Sequence, residues 1–435
     1  MKRQQNMNEE LLIPRSLLNP VAPIGVGTPE VESMVSYFCR LALSHCISAT
    51  KLGHTVERGM QWRLPDGWRW HAINLSGMSD TAHDWVCALS KLTSVENLAS
   101  LTLLPWRDVI AEQGARATSA QWCPHCLADD RAAGATPYFR LSWDVGVVSA
   151  CSKHKTRLVH ACPDCGRANT RHNSIYVVPG WCTSCGGFLG AGDSEPATSA
   201  EIWIAGQLGA TLSVQYSLTS RPSLAALLDG IRELVQRLDD GKSAKFARRI
   251  GLPKTNVHYW LSEGGTPRLS ALLRIASQTG LTLPQLLAGN PTDWPDAYAN
   301  IHDLDSLFPE VKKRAPRKVH DWDRIRAQLA ALNDSSAVVV SVSEAARSLD
   351  VGVRQLYVHA NEEARVLALR WNQHRQQLSA ESRKKTRKII ERIYPEVAAK
   401  GKTLNLREII AHVSKEDLSG LTGVYDILQE YTGNA

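Results

Sequence analysis

Seven of the ten cysteines lie between residues 123 and 185, and they occur in closely spaced pairs. The pairs are Cys123 with Cys126, Cys151 with His154, Cys162 with Cys165, and Cys182 with Cys185. Two intervening residues allow a tight turn to present both side chains to one tetrahedral metal ion. An odd number of cysteines argues against a disulfide framework, and isolated buried thiols would not pair in this way. The spacing therefore predicts metal binding.

The pairs divide into two predicted sites. Cys162, Cys165, Cys182 and Cys185 fit a C-x₂-C-x₁₆-C-x₂-C pattern, and Cys123, Cys126, Cys151 and His154 form a Cys₃His set closed over a longer loop. Four protein ligands leave no position open for a reacting water, so we predict two structural zinc ions. Such an ion contributes about 10–16 kcal/mol to the folding of a small module.

Other histidines compete with His154 for the last ligand position. His125 lies inside its own CxxC turn and should point away from the metal, whereas His160 and His172 are further options. The two-residue gap after Cys151 favours His154. The remaining cysteines, Cys39, Cys46 and Cys87, stand alone in helical patterns and are expected to be buried and inert.

Charge and hydropathy limit the class of protein. The formal net charge is +7, and basic residues concentrate at 311–318 and 382–388. Such runs are typical of solvated helix faces or linkers, but beside helical motifs they also indicate nucleic-acid binding. The amino terminus lacks the apolar segment of a secretory signal, and no run is long enough to span a membrane. We therefore expect a cytoplasmic protein without a membrane partner.

Apolar residues recur at helical spacing on both sides of the cysteine-rich block. The stretches are 30–48, 81–92, 95–104, 201–218 and 223–238. The predicted fold is mainly α and multi-domain, with helix-turn-helix units flanking a tandem zinc-ribbon or zinc-finger block. The predicted parts are an amino-terminal helical domain (1–120), the zinc block (121–195), a helical domain with a helix-turn-helix (196–300) and a basic carboxy-terminal helix-turn-helix region (301–435). A linker is predicted at 289–298 and 311–318.

Residues 243–262 predict a first helix-turn-helix. Its first helix would span 244–250, Gly251 would make the turn, and Pro253 would begin the second helix. The side chains expected to reach base edges are Lys254, Thr255, Asn256 and His258. The alternative is a plain helical bundle.

A second candidate covers residues 341–363. Ser343 is the predicted N-cap and Asp350-Val351 the predicted turn. The residues predicted to face a DNA groove are Gly352, Arg354, Gln355 and His359. Arg and Gln can bind guanine and adenine in a bidentate manner, each contact giving about 1–3 kcal/mol of discrimination.

A third candidate, at 383–431, has a longer turn and a less basic recognition helix. Its basic run supplies three further predicted DNA contacts: Lys384, Lys385 and Arg387.

The order of these segments resembles the TniQ/TnsD family of transposon target-selection proteins. The resemblance covers residues 15–290 and rests on GVGTPEVESMVSYFCRLALSH, LTSVENLASLTLLPWRDVI, WCPHCLADD, PYFRLSWDVGVVSACSKHKTRLVHACPDCG and WCTSCGG. The segment VSEAARSLDVGVRQLYVH resembles the extension of longer, TnsD-like members. The eight predicted metal ligands match the zinc positions of the family.

The resemblance implies an adaptor without catalytic activity. Such proteins mark a target site and recruit an AAA+ ATPase, which directs a DDE transposase. The predicted partners are double-stranded DNA and that ATPase, with a homodimer as one option. An alternative is an adaptor that docks on an RNA-guided CRISPR effector, and a second is a stand-alone transcription regulator. No catalytic constellation is recognisable in the sequence, so an enzyme is not predicted.

Overall fold

The computed structural model describes residues 16–66, 68–172, 176–291, 294, 303–308, 320–334, 339–421 and 423–432. Its chain forms two compact units. The first comprises Met1–Pro309 with Ser414–Ser419, and the second comprises Glu310–Val413 with Gly420–Ala435. The division of the chain into four parts stays a prediction. Most of the predicted linker lies outside the described residues.

The first unit is built from short helices joined by irregular segments. They are α1 (Met34–Ser44), α2 (Ala49–Met60), α3 (Asp80–Thr93), α4 (Pro124–Ala132), α5 (Ser199–Val214), α6 (Leu224–Asp239), α7 (Ser243–Arg249), α8 (Lys254–Glu263), α9 (Leu269–Thr279), α10 (Leu283–Ala288) and α11 (Leu304–Leu307). Side-chain caps explain where several of them begin. Ser33 accepts from the Ser36 amide at the start of α1, and Thr198 forms a reciprocal capping box with Glu201 at the start of α5.

One hydrophobic core runs through this unit from Leu18 to Leu307. Trp70, Trp106, Trp122 and Trp143 are among its largest fully buried side chains. The ligand cysteines Cys123, Cys126, Cys151, Cys162 and Cys182 belong to the same core. The cysteine-rich block therefore packs into the helical scaffold, so a metal ion held by these cysteines would stabilise the same core.

The chain continues with further helices. They are α12 (Trp322–Asp334), α13 (Val342–Ser348), α14 (Val353–His359), α15 (Asn361–Ala399), α16 (Leu406–His412), α17 (Lys415–Ser419) and α18 (Val424–Thr432). Of these, α17 belongs to the first unit and the others to the second. In the second unit, α12 to α14 and the first turns of α15 enclose a core that contains Leu329, Ala346, Leu356 and Leu367. The later part of α15 packs against α16 and α18.

The mainly α fold is confirmed, and two local expectations are corrected. Residues 95–104 were expected to form a helix, but they form 3₁₀ turns at Leu98–Leu101 and Leu104–Trp106. Asn97 adopts the left-handed conformation with φ 59°, so a continuous α-helix does not run through this stretch. The cysteine block contains a helix, α4, that the sequence reading missed. No described helix combines the length and apolar character needed to cross a membrane.

Candidate metal centres and nucleic-acid interface

Cys123, Cys126, Cys151 and His154 lie together, with all ligand atoms within 4.8 Å of one another. Cys123 directly precedes α4 and Cys126 lies in its first turn, because Pro124 begins the helix. The Sγ atoms of Cys126 and Cys151 are 3.6 Å apart, and His154 Nδ1 lies 3.3 Å from Cys126 Sγ. Tetrahedral zinc with bonds of about 2.3 Å places its sulfur ligands about 3.8 Å apart. The cluster could hold one such ion.

Asp129 orients the histidine of this cluster. His154 Nε2 lies 3.0 Å from Asp129 Oδ2, which leaves Nδ1 directed at the three sulfurs. Lys153 is 2.5 Å from the same carboxylate oxygen and lowers the pKa of Asp129 by hydrogen bonding. A carboxylate behind a metal-binding histidine selects its tautomer and raises its basicity. Asp129 would therefore hold the His154 ring in the orientation that a metal ion at Nδ1 requires.

We expect Asp129→Ala to weaken metal binding at the first cluster about 10–100-fold. Loss of a group that hydrogen-bonds a metal-binding histidine typically lowers the metal affinity by such a factor. Asp193→Ala, at an exposed aspartate outside both clusters, is the control. Chelator competition, followed by the amount of metal released, measures the effect. Equal release curves for the two variants would contradict a role of Asp129 in metal binding.

The second cluster consists of Cys162, Cys165, Cys182 and Cys185. Its two halves have matching turns: the amide of Gly166 donates to the Cys162 carbonyl, and the amide of Gly186 donates to the Cys182 carbonyl. Both glycines have positive φ, 65° and 81°. Sγ–Sγ distances are 3.7 Å between Cys162 and Cys185 and 3.8 Å between Cys165 and Cys182. This cluster also suits one tetrahedral ion.

The two clusters differ in exposure. In the first, the three cysteines are buried and His154 is partly buried. In the second, Cys185 is exposed and Cys165 is partly buried. His125, His160 and His172 lie outside both clusters; His160 Nδ1 instead lies 3.2 Å from Ser119 Oγ.

Without a metal ion, the thiols within each cluster differ in the direction of their pKa shifts. Hydrogen bonds from Cys126 and Cys151 lower the pKa of Cys123, while the same pairing raises the pKa of Cys126. In the second cluster, Cys165 lowers the pKa of Cys182 and its own pKa rises. Crowded thiols thus favour one thiolate held by protonated neighbours, because several anions would repel one another. A divalent cation allows all of them to ionise.

A buried arginine ties the first cluster to the amino-terminal segment. Arg140 contacts both oxygens of Asp130 on α4, at 2.6 and 2.8 Å, and lies 3.3 Å from Glu30. Its guanidinium also lies 3.9 Å from the ring centroid of Tyr138. Glu30 Oε2 is 3.7 Å from Cys126 Sγ, so this network reaches the cluster itself. Only the tertiary structure reveals this role of Arg140, because Glu30 lies 110 residues away in sequence.

The first helix-turn-helix candidate corresponds to α7 and α8, which pack against each other across a turn with Gly251 at φ 63°. Val257 and Trp260 are buried and form the inner face of α8. Lys254, Thr255 and His258 are exposed, and Asn256 is partly buried. Pro253 is the N-cap, so the helix begins one residue later than expected, at Lys254.

The second candidate corresponds to α13 and α14, and its predicted N-cap is wrong. Ser341, not Ser343, caps α13, because Glu344 stands three residues later and completes a capping box with Ser341. Asp350 adopts φ 53° in the turn, and Gly352 is the N-cap of α14.

Two residues predicted to face the groove have structural contacts. Gln355 Oε1 accepts from the Gly352 amide at 3.1 Å, and the His359 ring stacks on Trp322 with centroids 4.3 Å apart. Arg354 is exposed, and no hydrogen bond of its side chain occurs among the described contacts. Of the three side chains, Arg354 is therefore the one most available to a ligand.

The third candidate corresponds to the end of α15 with α16 and α18 in the second unit; its segment α17 belongs to the first unit. Arg387 is paired with Glu430 at 2.6 Å, and Arg383 is paired with Asp426 at 3.1 Å. These contacts direct two arginines of the basic run towards acidic groups of α18. Lys384 and Lys385 are exposed. DNA contacts by Lys384, Lys385 and Arg387 stay predictions.

Comparison with known proteins gives one family match. Residues 23–158 match the TniQ family model. The match extends from the segment before α1 to just beyond His154, so it contains the whole first metal cluster. No curated protein matches the chain.

Proposed function

Since the chain belongs to the TniQ family, we propose that it is a target-selection adaptor of a transposon with a DDE transposase and an AAA+ ATPase. In this role it binds target DNA through its helix-turn-helix units and recruits the ATPase without catalysis of its own. The family match carries the proposal. Zinc is the proposed occupant of both clusters, because thiolate and imidazole ligands in tetrahedral sets favour it.

Direct DNA binding is supported by α8 and α14. Each is a short helix with exposed polar side chains, including Lys254 on α8 and Arg354 on α14. Binding-site selection with the pure full-length chain tests the proposal by recovering an enriched sequence. Affinity should fall with salt at a log–log slope of about −0.9 for each phosphate neutralised. Recovery of no enriched sequence would contradict direct reading of DNA.

Arg354→Ala should relax the sequence preference at one position by about 1–3 kcal/mol and leave stability unchanged. Gln355→Ala should also relax the sequence preference. It should in addition destabilise the second unit by about 0.5–2 kcal/mol, because it removes the hydrogen bond from the Gly352 amide to the Gln355 side chain. Arg365→Ala, at an exposed arginine on α15, is the control. Selection experiments and denaturant unfolding separate the two effects. Unchanged selected sequences in both α14 variants would contradict reading by this helix.

A second candidate function is docking on an RNA-guided CRISPR effector. The observation that favours it is the exposed apolar surface of α14, where Val353, Tyr357 and Val358 are 38%, 38% and 65% exposed. Apolar side chains suit a protein partner better than a phosphate backbone. Failure to select a DNA site, together with co-purification with such an effector, would favour this candidate. A stand-alone transcription regulator would instead bind DNA without recruiting an ATPase.

A further inference from the structure

One face of α8, the second helix of the first helix-turn-helix candidate, carries a continuous exposed stripe. Residues four apart, and their direct neighbours, share one face of a helix, and on α8 the exposed members of that face are Lys254, Thr255, His258, Tyr259 and Ser262. Four of these side chains are polar. Tyr259 is the exception: it is 50% exposed and was not among the side chains expected to reach base edges. The structure therefore adds an aromatic ring to this face.

The chain beyond α8 supports the ring of Tyr259. The helix ends at Gly264, which adopts φ 69°, and the chain turns back so that the Gly265 amide donates to the Tyr259 carbonyl at 3.1 Å. This turn places the buried Gly265 against the Tyr259 ring, and a Cβ atom added at position 265 would collide with the ring carbons. A ring that is supported in this way loses little further conformational freedom when a ligand binds.

The charge and chemistry of the stripe suit the major groove of DNA. Its one cation is Lys254, and the sole acidic residue of α8, Glu263, lies at the last position of the helix. The polar members can form hydrogen bonds with base edges and phosphates. Tyr259 instead presents an apolar ring, and the apolar group that a base presents in the major groove is the C5 methyl of thymine.

We propose that the Tyr259 ring contacts the C5 methyl group of a thymine in the major groove, and that Gly265 is the positioning residue that holds the ring there. Tyr259 lies one helical turn after Thr255, so it follows directly on the residues of the first turn that reach base edges. The inference rests on the proposed binding of DNA by α8. It goes further by naming one base and the group of that base that is recognised.

Binding measurements with the full-length chain and the duplex recovered by binding-site selection test the contact. Each thymidine in turn is replaced by deoxyuridine, which removes the methyl group and keeps every hydrogen-bonding group of the base. At one position the replacement should weaken binding by the wild type about fourfold, the loss expected for one buried methyl group. Tyr259→Ala should bind the two duplexes equally. Tyr259→Phe should retain the difference, because it keeps the ring.

Gly265→Ala tests the support of the ring. The added Cβ displaces the Tyr259 ring without changing its chemistry, so this variant should also lose the discrimination against deoxyuridine. Gly265 does not have a positive φ, so alanine fits its backbone and the variant should stay folded. Tyr216→Ala, at a tyrosine of the same unit that is 53% exposed and outside α8, is the control and should discriminate like the wild type. Thermal unfolding checks that each variant is folded.

The outcomes separate this inference from the proposed function. Failure of the wild type to select any DNA sequence would contradict both. A selected duplex in which no deoxyuridine replacement weakens binding, or wild-type discrimination in Tyr259→Ala, would overturn the contact at Tyr259 alone. Loss of discrimination in Tyr259→Phe would overturn recognition through the ring. Unchanged discrimination in Gly265→Ala would overturn the positioning role of Gly265.

Discussion

Cys126→Ser is expected to reduce the metal content from two ions per chain to one and to unfold much of the first unit at moderate temperature. Cys126 is fully buried, belongs to the main hydrophobic core, and lies within 3.7 Å of Cys151, His154 and Glu30. Serine is a poor zinc ligand, so the variant loses the free energy of metal binding, which is on the order of 10 kcal/mol for structural sites. The whole stability of a domain is of similar size.

Elemental analysis and thermal unfolding together measure this effect. Cys87→Ser is the matched control, since Cys87 belongs to neither cluster and is exposed. Cys185→Ser should also reduce the metal content to one ion, but with a smaller loss of stability, because Cys185 is exposed. A Cys126→Ser protein that keeps two ions and melts like the wild type would refute the assignment of the first cluster.

The second large effect is expected for Arg140→Ala, which should destabilise the first unit by about 3–5 kcal/mol. The side chain of Arg140 is only 4% exposed, and its removal leaves the carboxylate of Asp130, itself 11% exposed, without its partner. Breaking a buried pair costs this much because the remaining charge stays in a medium of low polarity. The same change removes the contact with Glu30, which lies beside Cys126.

Denaturant unfolding of the first unit measures the loss. Arg140→Lys keeps the charge but cannot contact both carboxylate oxygens in the same plane, so it should restore only part of the stability. Arg107→Ala is the control, because its partner Asp80 is 87% exposed and such pairs contribute about 0–1 kcal/mol. Equal unfolding midpoints for Arg140→Ala and Arg107→Ala would show that the Arg140 network does not stabilise the unit.

The helices show how far local patterns can be interpreted. The stretches that became α1, α3, α5 and α6 carry apolar residues at helical spacing, and capping residues such as Ser33 and Thr198 lie directly before two of them. Residues 95–104 carry a similar pattern but form 3₁₀ turns, and Asn97 within them adopts a left-handed conformation. The capping box of Ser341 with Glu344 could also have been predicted from the sequence, since it depends on two residues three positions apart.

The exposure of single side chains, and the contacts that compete for them, could not be predicted from helical spacing. Cys87 was expected to be buried like Cys39, yet it lies on the exposed face of α3, with its Sγ 3.6 Å from His83 Nε2. Gln355 was expected to face a groove, but its side-chain oxygen binds the helix amide of Gly352. Helical spacing identifies an apolar face without showing which neighbouring element covers it.

The grouping of the cysteines and His154 into two clusters, and the mainly helical fold, could be predicted from the chain alone, because ligand spacing and helical periodicity are local properties. Which groups surround those clusters depends on the tertiary structure. It placed Asp129 behind His154 and brought Arg140 to Glu30 across 110 residues. Such contacts depend on how helices and loops pack around one core, and no short stretch of sequence specifies that packing.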